Sequence, residues 1–108
     1  MASAWIYLAA AIVTEVIGTV FLRYTDGFTN PLPSAVVAVT YVVSIWLTAL
    51  ALKGLEISLA YAVWAGVGTA AVAVIGMAAL GETVNALKLA SIALVITGVV
   101  GLNLSGAN

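Results

Sequence analysis

Residues 4–22 read AWIYLAAAIVTEVIGTVFL, and this stretch decides the fold. It is unbroken by proline and as long as the roughly 20 residues a helix needs to cross a hydrocarbon layer of about 30 Å. Near its middle stands one carboxylate, Glu15, flanked on both sides by apolar or small residues. Holding an ionised group at that depth costs about 3 kcal/mol on insertion scales, so an intramembrane acid is rare and functional by default. The run lacks a basic leading segment and three similar runs follow it, so it reads as a span and not as a cleaved leader.

The further runs extend from about Leu32 to Leu52, Ile57 to Leu80 and Ala86 to Leu104. Between them lie RYTDGFTNPLP (residues 23–33), KGLE (53–56) and GETVN (81–85), all built from turn-forming residues. Glu82 or Asn85 is expected to cap the last helix. The runs are apolar nearly all round and longer than barrel strands, which alternate over about ten residues. The expected fold is therefore an all-α membrane protein, one domain over residues 1–108, with helices at about 4–22, 32–52, 57–80 and 86–104. A short polar tail, Ser105 to Asn108, follows.

Composition agrees. Of 108 residues, 65% are hydrophobic and 6% charged, where a soluble domain is about one quarter charged. Six of the seven charged residues (Arg23, Asp26, Lys53, Glu56, Glu82 and Lys88) fall in or beside the breaks. A net charge of −1 leaves no basic patch for nucleic acid. With no cysteine and no histidine, disulfide scaffolding, thiol catalysis and the common zinc-ligand sets are excluded, so neither enzyme chemistry nor a metal or cofactor is expected. If both termini share one side of the membrane, that side carries Lys53 and the other Arg23 and Lys88. So weak a bias sets no firm orientation.

No basic residue lies deep in any run, so Glu15 has no countercharge within the chain. Desolvation disfavours the charged form of such a group, and a proton and a cation would compete for it. Its helical neighbours Ala11, Gly18 and Thr19 are small and leave room beside it or let another helix approach. In the third run Tyr61, Trp64 and Gly68 share a stripe that reads either as packing or as a wall for a flat or quaternary cation. Gly66 and Gly68 read as a hinge or as close packing. Tyr41 and Ser44 add polar groups to one face of the second run. In the fourth run Ala93, Thr97 and Gly101, joined by Gly98, form a ladder of small residues suited to helix pairing. Four helices hardly enclose and seal a cavity for an organic cation; a dimer supplies eight helices and two glutamates.

The segments Glu15-Val-Ile-Gly-Thr19, Asp26-Gly-Phe-Thr29, Pro33-Ser34 and Ala60-Tyr-Ala-Val-Trp-Ala-Gly-Val-Gly68, with Gly98 and Asn103, resemble the small multidrug resistance family of bacterial proton-coupled exporters. The resemblance implies an antiparallel homodimer, or a heterodimer with a paralogue, of dual topology in the inner membrane. It implies a proton gradient as driving force, with Glu15 as the shared proton and cation site. Trp64 and Tyr61 would be aromatic walls, with Trp5, Tyr7, Gly18, Thr19, Tyr41 and Ser44 completing the pocket. Gly66 to Gly68 would be a kink and the fourth helix the dimer contact. Guanidinium exporters of the family usually carry tryptophan where this chain has Gly18. Multidrug exporters carry glycine there and tyrosine at the position of Tyr41, so the multidrug, quaternary ammonium type is expected. The alternatives are a guanidinium exporter and a non-transporting membrane assembly subunit. Ala65 and Ser91 depart from the family's usual serine or threonine and glycine.

Overall fold

The computed structural model describes residues 2–106; Met1, Ala107 and Asn108, including the end of the expected polar tail, lie outside the described residues. Among the described residues there are four helices and no strand: α1 (Ala2–Leu22), α2 (Pro31–Ala51), α3 (Ile57–Ala79) and α4 (Ala86–Leu104). At 1.5 Å per residue, helices of 19 to 23 residues measure about 28 to 34 Å. Each is long and apolar enough to cross a membrane. The boundaries fall within two residues of those expected. Pro31 opens α2 one residue early because a proline at the first helical position gives up only an N–H that would be unpaired anyway.

The chain divides into two compact units, Met1–Leu55 and Glu56–Asn108. In the first, α1 and α2 pack closely. The buried residues Ala4, Leu8, Ala11 and Gly18 follow one 4–3 spaced stripe of α1, and Glu15 occupies the remaining place on it. The turn into α2 is unusual. Asp26, Gly27 and Phe28 have φ of 51, 66 and 68°, a left-handed turn that only glycine adopts freely. Each non-glycine residue there costs about 1–2 kcal/mol. Backbone bonds from Thr29 to Asp26 (3.3 Å) and from Asn30 to Thr25 (2.9 Å) hold the turn. The Asn30 side chain adds a bond to the Tyr24 carbonyl (3.2 Å), and the Thr29 hydroxyl one to the Asp26 carbonyl (2.7 Å).

In lipid a hydroxyl without a partner is costly, and six threonines and serines in the spans bond a backbone carbonyl of their own helix. Thr14, Thr40, Thr48, Thr69, Ser91 and Thr97 each donate to the carbonyl four residues earlier. Thr19 and Ser44 do otherwise: Thr19 bonds Glu15, and Ser44 reaches across to α1.

In the second unit, Gly66 of α3 faces α4. A Cβ at Gly66 would meet Val99 Cγ2 at 2.5 Å and Val95 Cγ1 at 3.3 Å, so the bare backbone sets how closely these helices approach. Gly81, at φ 70°, turns the chain back so that the Glu82 N–H donates to the Gly76 carbonyl (3.0 Å). The Glu82 carboxylate lies over Gly76 and pairs with Lys88 (3.7 Å). Of the two residues expected to cap α4, Asn85 does so, its Oδ1 accepting from the Lys88 N–H at 2.8 Å. Among the described residues α4 buries none, and Gly98 and Gly101 have open space where a Cβ would stand.

Gly66→Ala is expected to force α4 off α3, because a β-branched valine cannot swing aside, at the roughly 1–3 kcal/mol typical of overpacking. Reversible unfolding in SDS-containing mixed micelles measures it. Gly98→Ala, which meets nothing in the hairpin, should instead raise the stability of the hairpin by the roughly 0.5–1 kcal/mol that replacing a mid-helix glycine gains.

Candidate functional site

Glu15 lies seven residues before the end of α1, about 10 Å along the helix from Leu22, which places its half-buried carboxyl well inside the span. Thr19, one turn on, donates its hydroxyl hydrogen to Glu15 Oε1 at 2.7 Å. The same oxygen of Thr19 lies 2.7 Å from the Tyr41 hydroxyl of α2. Threonine has one hydroxyl hydrogen. While it serves Glu15, the phenol hydrogen must be donated to Thr19. The result is a directed chain, Tyr41 to Thr19 to Glu15, joining two helices at the carboxylate.

Gly18 makes this chain possible. A Cβ there would collide with the Thr40 hydroxyl and stand 2.7 and 2.8 Å from Cε1 and Cδ1 of Tyr41. The Cδ1–Cε1 side of the tyrosine ring therefore comes close to the bare backbone of α1, and that contact carries its hydroxyl to Thr19. Ser44, 3% exposed, donates to the Ala11 carbonyl at 2.8 Å. Thr14 donates to the same carbonyl at 2.9 Å. The serine thus clamps α2 to α1 one turn before Glu15, and its proton goes to backbone and not to the carboxylate. Among the described residues Lys88–Glu82 is the one ion pair, so no basic side chain neutralises Glu15.

Of the residues picked out in the sequence, Glu15, Gly18, Thr19 and Tyr41 come together in the first unit. Trp5 and Tyr7 sit on α1 two to three turns away, about 15 and 12 Å along the axis from Glu15, Trp5 half-buried and Tyr7 exposed. In the second unit Tyr61 and Trp64 meet as a tilted pair, ring centroids 5.8 Å apart at 46°. Trp64 Nε1 is buried and has no hydrogen-bond partner among the described residues. Gly66 and Gly68 are buried, and α3 runs unbroken through both. Ala93, Thr97, Gly98 and Gly101 are exposed on α4. Sequence reasoning missed Thr40, which presses on Gly18, and the Ala11 carbonyl. Neither carries a signal in its own helix, because only the register of α1 against α2 brings them into play.

These features define a polytopic membrane protein with one uncompensated acid inside a span, wired by hydroxyls to a neighbouring helix. The sequence profile described as Small Multidrug Resistance protein matches residues 3–95, and the chain belongs to that family. It is 44% identical over 101 residues to a guanidinium exporter of Escherichia coli strain K12, covering 94% of this chain and 96% of the relative. It is 42% identical over 100 residues to the uncharacterized membrane protein YvaE of Bacillus subtilis, covering 93% and 84%. It is also 43% identical over 102 residues to the nicotine metabolites export pump subunit NepB of Paenarthrobacter nicotinovorans, covering 94% and 61%. The chain is thus a multi-pass protein of the bacterial inner membrane from a family of small exporters.

Gly18→Ala should push the Tyr41 ring off Thr19 and so remove the same hydrogen bond as Tyr41→Phe. In a double-mutant cycle on unfolding in mixed micelles the two are expected to be non-additive by about 0.5–1.5 kcal/mol. Strict additivity would mean the ring yields without losing the bond.

Proposed function

We propose that this chain exports organic cations in exchange for protons, the two competing for Glu15. The observation that carries the reading is a carboxylate within a span whose partner is a hydroxyl and which has no basic neighbour among the described residues. Its charge is compensated by a proton or by a bound cation, one at a time. The hydroxyl chain registers which. When Glu15 takes a proton, its own O–H donates to Thr19, Thr19 turns its hydrogen toward Tyr41, and the phenol hydrogen is released for another acceptor. Proton binding thus changes the bonding between α1 and α2, which supports alternation between two arrangements of the transporter.

Two substrate classes compete. Quaternary ammonium and other lipophilic cations have no N–H to donate and bind through charge and aromatic faces. The Gly18–Tyr41 contact favours them, since a tryptophan at position 18 would need the space the tyrosine ring fills. Guanidinium forks onto a carboxylate with paired hydrogen bonds, and the names of the relatives at 44% identity favour this second reading. The relatives' names weigh for guanidinium, the site geometry for the quaternary ammonium class.

The working unit in this reading is a dimer, of two copies or with a paralogue, joined through the exposed small-residue face of α4 at Ala93, Thr97, Gly98 and Gly101. A second chain would bring a second Glu15 and an acceptor for the unpartnered Trp64 N–H. Gly66 and Gly68 would let α3 flex between the two states.

Transport in proteoliposomes with an imposed pH gradient tests this. Glu15→Gln is expected to keep the fold and abolish coupled export of every cation; unaltered pH-driven uptake by the variant would remove the mechanism. Comparing guanidinium with tetrapropylammonium decides the substrate class. Absence of proton release with either leaves the assembly-subunit reading. Trp64→Ala should weaken binding of an aromatic quaternary ammonium ion by up to about 30-fold, or about 2 kcal/mol; unchanged affinity would make the Tyr61–Trp64 pair a packing contact.

A further inference from the structure

The α1–α2 turn holds an exposed aromatic residue in a backbone conformation that costs it energy. Phe28 has φ 68° and follows Asp26 and Gly27 in the same left-handed conformation. A glycine or an asparagine would close this turn with less strain. Strain of this kind persists only where surrounding bonds enforce it, and here Thr25, Thr29 and Asn30 supply them. The aromatic ring gains no internal burial in return, because it is 62% exposed. Tyr24, 49% exposed, and Leu32, 76% exposed, accompany it, and the Arg23 residue beside them is exposed as well.

Position in the membrane identifies what covers this cluster. The 21 residues of α1 and of α2 each span about the full hydrocarbon thickness, so Leu22 and Pro31 fall at its edge and residues 23–30 lie in the headgroup layer. Aromatic rings favour that layer, and a guanidinium there pairs with phosphate. The geometry points to the left-handed turn as a built membrane-interface anchor, which seats the Phe28 and Tyr24 rings among phospholipid headgroups and so fixes the depth of α1 and of the carboxylate about 10 Å further in.

The chain contains no cysteine, which makes the test direct. Phe28→Cys and, as a comparison, Lys53→Cys are labelled with the environment-sensitive dye NBD and reconstituted into phosphatidylcholine–phosphatidylglycerol vesicles. The dye at position 28 should be quenched at least about threefold more by a lipid carrying its spin label at a shallow acyl carbon than by one labelled near the acyl terminus, and iodide should quench it less than the dye at position 53. Phe28→Trp, which keeps an aromatic ring there, gives a second reading without a dye. Its added emission should be quenched by shallowly brominated lipid and little by acrylamide. Quenching by iodide and acrylamide but not by lipid would place the ring in water and overturn the proposal. Protection from aqueous and lipid quenchers alike would place it against another protein chain, and would overturn it equally.

Discussion

Every polar group inside a bilayer must find its partner within the protein, because no water is present to supply one. That constraint orders this molecule more than any single packing contact. It makes the spans helical, and it sends the hydroxyls of Thr14, Thr40, Thr48, Thr69, Ser91 and Thr97 back onto their own backbone. It also makes the exceptions informative. Thr19 and Ser44 leave their own helix's carbonyls for Glu15 and for Ala11, and both lie at the seam where α1 meets α2 around the half-buried acid.

The same constraint explains what was legible in the sequence. The spans are readable because an apolar run of some 20 residues has few other fates, and the breaks at Asp26-Gly27, Asn30-Pro31 and Gly81 follow from local chemistry. Glu15 is conspicuous because charge is so scarce. The use made of particular side chains was harder to see. The family resemblance implies Ser44 in the pocket; that its proton goes to the Ala11 carbonyl is not written in the sequence of α2. Glu82 and Asn85 are equally good capping residues on paper; Asn85 caps, while Glu82 folds back over Gly76. Helical periodicity tells which residues share a face but not where along a neighbouring helix that face comes to rest. The meeting of Gly18 with Thr40 and Tyr41 depends on that register, and so does the wiring of the carboxylate.

In the proposed exchange of cations for protons, substrate preference turns on the same seam. A single glycine on α1 allows an aromatic ring from α2 to lie where a large side chain at position 18 would otherwise stand. The relatives at 44% identity are named for guanidinium, so their names and the local geometry pull in different directions. Identity averages over all the spans, whereas selectivity is set by the few atoms that contact the cation. In that reading, ring placement at Gly18 carries information that whole-chain similarity dilutes.

The fourth helix has a consequence for how its neighbours are chosen. Past Lys88 it is apolar but for Ser91, Thr97 and Asn103, and it buries none of its described residues. Water-repelling character therefore cannot tell a lipid tail from another protein surface along it. What differs from side to side is bulk: the protruding Leu94 and Val100 lie near the bare backbone of Gly98 and Gly101. Recognition on such a helix has to be topographic, with knobs and hollows doing the sorting that charge and hydrogen bonding perform on proteins in water.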